Sequence, residues 1–209
     1  MPKLIVIASG NAHKTREIQA LLGDGFECRT LNDYPDAPEV EEDASTFAGN
    51  AVKKALSLVD WLKHEEDLTE GWVLADDSGL EVDCLDGAPG VRSARYASGT
   101  HEGNSPDEAN NAKLLAELRS KPQHQRAARF RCVMALARTG TYAHPQLFDG
   151  TCEGHIAEAP AGSKGFGYDP LFVPENFEDT FGTLGAEIKG MLSHRAAALR
   201  KMKEWLEAN

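Results

Sequence analysis

Five carboxylates lie within eleven positions near the middle of the chain: Asp76, Asp77, Glu81, Asp83 and Asp86. The apolar residues 72–75 just before them predict a short buried strand that ends at the two adjacent aspartates. Carboxylates at a strand end suit a hard cation such as Mg²⁺, and the neighbouring Gly79 lets a ligand approach the backbone. An acidic turn after an edge strand is the competing interpretation of this spacing.

The same segment continues through residues 87–97, which contain Arg92, Arg95 and Tyr96. These side chains are expected to bring anion-binding groups into the neighbourhood of the carboxylates. A metal-bound phosphate requires both kinds of group side by side. The continuation therefore favours phosphate chemistry over an acidic turn.

The N-terminus offers a second candidate site. Residues 3–8 form a β-branched run, which predicts a central strand buried on both faces. A polar turn at 9–14 then leads into a predicted helix, which contains Ile18 on its inner face and ends near Gly23. Such a turn points free backbone N–H groups at an anion, and Lys14 adds a positive charge. As a surface lysine at a helix start, Lys14 is expected to contribute little to stability.

An acid-rich segment precedes the next predicted helix, which Asp43 or Ser45 is expected to cap. Glu42 is a candidate second metal carboxylate, although acids at this position also simply complement the helix dipole. Lys53 and Lys54 lie on the helix, and one of them could reach a phosphate, whereas most helix lysines are only solvated. The inner stripe of the helix is predicted to contain Phe47, Ala51, Ala55, Leu58 and Leu62.

The second half of the chain is predicted to form a strand-rich lobe rather than further βαβ units. A helix is predicted to start after a cap at Ser105. Alternating apolar residues at 128–139 predict a strand that pairs in a hairpin with residues 147–158. Polar loops are predicted at 63–71 and 99–104.

Residues 159–170 contain the next cluster of candidate site residues, with three glycines around Phe166, Tyr168 and Asp169. Such a loop could stack a nucleotide base on an aromatic ring and use the carboxylate to hold a ribose or a metal-bound water. The alternative is a hairpin with ordinary core aromatics.

Residues 189–195 are predicted to open the last helix, with Ser193 as its cap. His194 and Arg195 fall in its first turn, where the helix dipole disfavours cations. Cations placed there suggest ligand contact, although a lone histidine is more often structural.

The bulk composition limits the possible functions. A chain of 209 residues fits one domain or two closely joined lobes. Its net charge of −11 argues against binding a nucleic-acid backbone, and no apolar run approaches the roughly 20 residues of a membrane span. The scattered cysteines predict free thiols in a reducing compartment and hence a cytoplasmic location: Cys28, Cys84, Cys132 and Cys152.

Taken together, the motifs resemble the inosine triphosphate pyrophosphatase family from Lys3 to Leu206. Those that match, in the family's order, are SGNAHKxxE, EEDASTFAGNAVKKA, ADDSGLEVDCLDGAPGVRSARYA, ARFRCVMAL, PAGSKGFGYDPLF and SHRAAAL. The resemblance implies one elongated α/β domain over residues 1–209, with two lobes, a long mixed β-sheet flanked by helices, and an active-site cleft between the lobes. It also implies a homodimer that needs Mg²⁺ and cleaves non-standard purine nucleoside triphosphates (ITP, dITP and XTP) to monophosphate and pyrophosphate.

Matched motif by motif, the resemblance also implies roles for particular residues. Glu42 and Asp77 would hold Mg²⁺, and Asp77 would act as the proton acceptor that activates water. The triphosphate would contact Ser9, Gly10, Asn11, Ala12, His13 and Lys14, with Lys54 as a further contact. The remainder of the nucleotide site would be lined by Ser78, Phe166, Gly167, Tyr168, Asp169, Lys189, His194 and Arg195.

Two positions depart from the family pattern. Ser9 stands where members often have Thr, which preserves the hydroxyl. Gly49 stands where many members have Glu, so Glu42, Glu41 or Asp76 must suffice if that acid helps to bind the metal.

Two other functions are alternatives. A septum-inhibition type of nucleotide pyrophosphatase has a related fold and prefers other nucleotides, but the His194-Arg195 pair and the GFGYDP loop argue against it. A nucleotide-sensing module would bind without turnover. The joint presence of Lys14, Glu42, Asp77 and Asp169 argues for catalysis instead.

Overall fold

The computed structural model describes residues 3–63, 70–98, 103–141 and 143–209. Its strands are β1 Lys3–Ile7, β2 Phe26–Thr30, β3 Trp72–Val82, β4 Ala127–Arg138, β5 Gln146–Ile156 and β6 Phe172–Pro174. Its α-helices are α1 Ala12–Leu22, α2 Phe47–Leu62, α3 Asp107–Glu117, α4 Phe181–Leu184, α5 Ala186–Leu192 and α6 His194–Ala208. Short 3₁₀ turns occur at Gly23–Gly25, Leu31–Asp33, Asp83–Leu85, Gly90–Arg95 and Gln123–Gln125.

The strands form one mixed sheet in the order β2-β1-β3-β4-β5-β6. β1 is parallel to both β2 and β3, and α1 and α2 are the crossover helices between these strands. β4 and β5 are neighbours, as the predicted hairpin requires, and β6 is antiparallel to β5. The predicted α/β class with a mixed sheet flanked by helices is confirmed.

The chain divides into two compact units. The first comprises Met1–Asp77, Cys132–Asp149 and Ala198–Asn209, and the second comprises Ser78–Arg131 and Gly150–Ala197. In the first unit, the sheet is buried on both faces because alternate residues of each strand point to opposite sides. One face packs against α1 and α6 through residues that include Ile7, Leu74, Ile18 and Leu199. The other packs against α2 through residues that include Val6, Val73, Ala51 and Leu58.

The second unit has a single apolar core. Strand residues such as Leu80 and Phe130 pack in it with Leu114 of α3 and with Phe181 of α4. The Phe130 ring lies 4.6 Å from the Phe172 ring, centroid to centroid. Over its described residues, this unit combines the predicted strands with α3, α4, α5 and the first turn of α6, and it is less purely strand-rich than the sequence suggested.

Several predicted boundaries differ from the structure. β3 does not end before Asp76 but continues through both aspartates to Val82. Thr46, rather than Asp43 or Ser45, caps α2, because its hydroxyl accepts the N–H of Gly49 at 3.1 Å. Ser105 does not cap α3 either: its hydroxyl accepts the N–H of Ser98 at 3.0 Å.

The predicted loops at 63–71 and 99–104 fall largely on residues 64–69 and 99–102, which lie outside the described part of the chain. All four cysteines are free thiols, as predicted. Over the described ranges, none of the helices has the length and apolar character that crossing a membrane requires.

Candidate active site

Asp76 and Asp77 lie within β3 and are almost fully buried. Asp76 is on the face that packs against α1, where its carboxylate lies 3.4 Å from the ammonium of Lys14 and accepts a 3.8 Å hydrogen bond from the Cys132 thiol. Asp77 is on the other face, 3.7 Å from the ammonium of Lys54 on α2. The strand thus presents one carboxylate to each flanking helix.

Lys54 lies between two carboxylates of the first unit. Its ammonium is 3.1 Å from Glu42 and 3.7 Å from Asp77. Burial by itself would lower the pKa of Lys54, but the charges of Asp77, Glu42 and Asp76 outweigh it and raise this pKa above its ordinary value. The lysine is therefore held as a cation at the position where the candidate metal ligands converge.

The pKa of the Asp77 carboxyl is also raised, which for a carboxyl favours the neutral form. Burial raises its pKa above the ordinary value, although Lys54 and Lys14 act to lower it. Glu42 also raises this pKa through its negative charge, and a hydrogen bond from Asn50 lowers it. The carboxylate is consequently a charge in a largely dry setting, stabilised mainly by the two lysines.

The N-terminal turn has the predicted form but not the predicted hydrogen bonds. The Asn11 side chain caps α1 by accepting the N–H groups of His13 and Lys14 at 2.9 and 3.1 Å. The N–H of Asn11 is in turn accepted by the Ser9 hydroxyl at 3.2 Å. Three N–H groups that the sequence predicted to be free for an anion are therefore engaged, and a side chain at Gly10 would meet only open space.

Lys14 is not the surface lysine that the sequence predicted. Only 16% of its side chain is exposed, and its partner Asp76 has a side chain with no exposure. Because a carboxylate buried in this way depends on its counter-charge, Lys14 helps to hold β3 as well as being a candidate phosphate ligand.

Asn50 is a residue of this site that the sequence analysis missed. Its amide nitrogen donates to Asp77 at 2.9 Å, and its amide oxygen accepts the N–H of Ala44 at 2.9 Å. The sequence does carry a signal, because position 50 falls on the same inner face of α2 as Phe47 and Ala51. A polar residue on an apolar stripe must find buried partners.

In the second unit, the glycine-rich loop is built around Asp169. This buried carboxylate accepts the ammonium of Lys189 at 2.6 Å and the backbone N–H of Phe166 at 2.8 Å. Gly165 has φ +80°, and a Cβ at that position would lie 2.0 Å from the Asp169 carboxylate. The loop can therefore fold around the carboxylate only with glycine at 165. Lys189 lies on the separate helix α5 rather than at the start of the last helix.

The two aromatic rings of this loop have different environments. Phe166 is half-buried, with the ammonium of Lys189 4.4 Å from its ring centroid and the guanidinium of Arg195 6.0 Å away. Tyr168 is part of the core, and its hydroxyl donates to the carbonyl of Ser93 at 2.9 Å. Burial raises the pKa of Tyr168 above its ordinary value. Of the two rings, Phe166 is the less buried.

The start of α6 carries the predicted cations. Ser193 caps the helix as predicted, accepting the N–H of Ala196 at 3.2 Å. Arg195 is buried and donates to the Ser78 hydroxyl at 3.0 Å. The His194 ring is stacked on Phe130, with 4.9 Å between centroids and 16° between planes.

Helix α3 supplies two further residues that the sequence analysis did not assign to the site. Asp107 accepts the N–H of Gly167 at 2.6 Å, and Asn111 donates to the carbonyl of the same residue at 3.0 Å. Both polar groups of this glycine are thus held by one helix, which fixes the backbone directly after Phe166.

Several other residues of the central stretch have structural partners. Glu81 lies 3.5 Å from Arg131 and Asp83 lies 2.9 Å from Arg129, so these acids form ion pairs with β4. Tyr96 packs in the core of the second unit, and its hydroxyl donates to the Glu117 carboxylate. Among the described residues, Asp76 pairs with Lys14 of α1 and Asp77 with Lys54 of α2.

The candidate residues thus form two groups. Those of the first unit are Ser9, Gly10, Asn11, Ala12, His13, Lys14, Glu42, Lys54 and Asp77. Those of the second unit are Ser78, Phe166, Gly167, Tyr168, Asp169, Lys189, His194 and Arg195. The first group combines lysines with carboxylates, as phosphate and metal binding require, and the second combines an accessible ring with hydrogen-bond donors.

The open mixed α/β sheet and the two groups of candidate residues together point to one family of proteins. The chain belongs to the Ham1 family, whose sequence model matches residues 5–205. The relationship that the sequence motifs indicated is therefore confirmed.

Individual relatives match over nearly their whole length. The chain is 48% identical over 207 residues to the dITP/XTP pyrophosphatase of Geobacillus kaustophilus, covering 98% of this chain and 95% of that protein. It is 47% identical to the dITP/XTP pyrophosphatase of Geobacter sulfurreducens, covering 97% and 96%. Among solved structures, the HAM1 protein from Coxiella burnetii has a TM-score of 0.83 at 36% identity, covering 99% of this chain and 100% of that one. The Staphylococcus aureus Ham1 protein has a TM-score of 0.80 at 38% identity, covering 99% of both.

Proposed function

We propose that this chain hydrolyses non-standard purine nucleoside triphosphates, namely ITP, dITP and XTP, to the nucleoside monophosphate and pyrophosphate. The observation that carries the proposal is the buried Lys54 between Glu42 and Asp77. Ammonium groups bind phosphate oxygens and carboxylates bind a divalent cation, so this arrangement suits a metal-bound triphosphate. The names of the dITP/XTP pyrophosphatases that match over nearly the full chain support the same reaction.

Mg²⁺ is the proposed cofactor, held by Glu42 and Asp77. Within the described ranges, no group of three or more His, Cys, Asp or Glu side chains could hold a metal ion. A pair of carboxylates suits Mg²⁺, which usually keeps several waters and takes its other ligands from substrate phosphates. When bound, it supplies positive charge that offsets the charge of the triphosphate.

The other residues of the first unit would bind the triphosphate and direct the attacking water. Lys14 and Lys54 would contact phosphate oxygens and stabilise the departing pyrophosphate. The polar turn from Ser9 to Lys14 would hold the phosphates through side chains more than through N–H groups, because three of those groups are engaged. Asp77 would orient a water for in-line attack and accept its proton.

The residues of the second unit would recognise the nucleoside. Phe166 would stack on the purine, with Lys189 and Asp169 fixing the loop that carries it. Arg195 and His194 would donate hydrogen bonds to an oxygen at position 6 of the base. Ser78 and the Tyr168 backbone would complete the nucleotide contacts, with Gly167 held in place by α3 and the buried Tyr168 ring anchoring the loop.

The proposal also covers the oligomeric state and the cellular location of the protein. The resemblance implies a homodimer, which sedimentation equilibrium over a range of protein concentrations would test. Four free thiols and a role in cleansing the nucleotide pool fit a cytoplasmic enzyme. Neither nucleic acid nor a membrane is a proposed partner, because the net charge is −11 and the substrate is a small molecule.

The function is tested by incubating the purified chain with Mg²⁺ and, separately, ITP, dITP, XTP, GTP or ATP. The expected products from ITP, dITP and XTP are the monophosphate and one equivalent of pyrophosphate, with slower turnover of ATP. Release of orthophosphate with formation of a diphosphate would contradict the proposed bond cleavage. Binding of ITP without any product would contradict catalysis itself.

A further inference from the structure

The amide of Asn50 connects the Asp77 carboxylate to the backbone of the segment that carries Glu42. Asn50 is fully buried on the inner face of α2. Its oxygen accepts the N–H of Ala44, two residues after Glu42, and its nitrogen donates to Asp77, both at 2.9 Å. A backbone N–H can only donate and a carboxylate can only accept, so the orientation of the amide is fixed.

Gly49 permits the close packing on which this connection depends. A Cβ at position 49 would lie 2.8 Å from the Cβ of Ala44 and 3.2 Å from the Thr46 hydroxyl. The first distance is below any normal contact, and Ala44 has no flexible side chain with which to move away. In this chain the segment from Glu42 to Thr46 lies against α2, within reach of Asn50, and leaves no room for a side chain at residue 49.

We propose that Asn50 is a positioning residue. Together, Gly49 and Asn50 hold the segment that carries Glu42 at a fixed position relative to Asp77. The inference rests on the proposed function, since its purpose is to prepare two carboxylates for one divalent cation. The amide occupies Oδ2 of Asp77, while Oδ1 is the atom that faces Lys54. A hydrogen bond that fixes one oxygen of a ligating carboxylate orients the other, as outer partners of metal ligands commonly do.

The test compares Asn50→Ala and Gly49→Ala with the wild type. Loss of an outer partner typically weakens metal binding by about 10- to 100-fold. We expect both variants to need about 10- to 100-fold more Mg²⁺ for half-maximal ITP hydrolysis. We expect a parallel loss in the affinity of the nucleotide-free protein for Mn²⁺, followed by electron paramagnetic resonance, which requires no turnover.

Gly49→Ala separates positioning from simple stability. The added Cβ would meet Ala44, so a purely structural view predicts a loss of stability with an unchanged metal requirement. Gly25→Ala is the matched control, because a Cβ there meets nothing within 4 Å. A folded Gly49→Ala variant with wild-type Mg²⁺ and Mn²⁺ dependence would overturn the proposal, even if Asn50→Ala fails to fold.

The two proposals fail in different ways. If the wild type releases no pyrophosphate from any purine triphosphate, the proposed function is wrong, and the Mn²⁺ titration still tests the positioning role. If the wild type is active and both variants retain its metal dependence, the function stands and the role of Asn50 is wrong.

Discussion

Asp76 and Asp77 are consecutive residues of β3 whose carboxylates point to opposite faces of the sheet and meet lysines from different helices. Asp76 lies 3.4 Å from Lys14 of α1, and Asp77 lies 3.7 Å from Lys54 of α2. The separation follows from the two-residue repeat of a strand, which keeps the two negative charges from sharing one side. One strand and its two flanking helices thus assemble the two aspartates and the two lysines of the first unit, and Glu42 comes from the segment before α2.

The first prediction concerns the two aspartates. Asp77→Asn should lower kcat for ITP by about 1000-fold, because the loss of a charge that holds the metal and orients water costs several kcal/mol of transition-state stabilisation. Asp76→Asn, on the opposite face, should lower it by about tenfold or less. Pyrophosphate release under saturating ITP and Mg²⁺ measures both.

Thermal unfolding is the control for this pair. Both variants should remain folded because Asn preserves the size of Asp, but each should melt at a lower temperature because a buried lysine loses one counter-charge. If Asp76→Asn proves the more damaging of the two in kcat, the catalytic assignment moves to Asp76.

The second prediction separates two roles of Lys14. Lys14→Ala should lower stability by about 2 kcal/mol, because it leaves the buried Asp76 without its counter-charge, and it should also reduce kcat/KM. The double variant Lys14→Ala/Asp76→Asn should regain most of the stability while kcat/KM for ITP stays about tenfold or more below the wild type. Recovery of activity together with stability would mean that Lys14 acts only through Asp76.

The sequence predicted the elements of the first unit well because their apolar patterns are long and regular. The β-branched run of β1 and the inner stripe of α2 leave few alternatives to buried strand and amphipathic helix. The end of β3 was misplaced because two aspartates look like a strand terminus, whereas here they are buried through their lysine partners. The cap of α2 was misplaced because several adjacent residues can all cap a helix and only the path of the chain selects Thr46.

The third prediction uses neighbouring lysines as a matched pair. Lys54 is largely buried between Glu42 and Asp77, whereas Lys53 forms a surface pair with Asp43 at 2.7 Å. Lys54→Met should lower kcat/KM for ITP by about 100-fold, because a charge-assisted phosphate contact is lost and two carboxylates lose their cation. Lys53→Met should change kcat/KM by about twofold or less, because surface ion pairs contribute little. Equal effects of the two substitutions would argue against a specific role for Lys54.

The sequence predicted which residues form the candidate site of the second unit, but it did not predict how their side chains are arranged. The motifs identified Phe166 and Tyr168 together, and only the three-dimensional packing shows that the Tyr168 ring lies in the core while Phe166 is half-buried. The hydrogen bond from the Gly167 N–H to Asp107 joins residues sixty positions apart, so no local sequence pattern predicts it. Long-range contacts of this kind depend on how the elements pack, and spacing along the chain does not contain that information.

The last prediction concerns selection of the base by Arg195. Donors aimed at an oxygen at position 6 are satisfied by ITP or XTP, but the amino group of ATP presents another donor to them. Each donor left unpaired in a desolvated pocket costs about 1–3 kcal/mol, so two such losses give discrimination of about 100-fold. Arg195→Ala should therefore lower the ITP/ATP ratio of kcat/KM mainly by losing ITP turnover, and not by gaining ATP turnover.

The design of this test must allow for the burial of Arg195, which also donates to Ser78 at 3.0 Å. Arg195→Lys serves as a second variant, because it keeps the charge but loses the planar fork that can serve Ser78 and a base together. Arg200→Ala is the control, since it makes the same change at an exposed position of the same helix. We expect both substitutions at 195 to lower the ratio and the control to preserve it. An unchanged ITP/ATP ratio in a folded Arg195→Ala variant would remove Arg195 from base recognition and leave it a structural partner of Ser78.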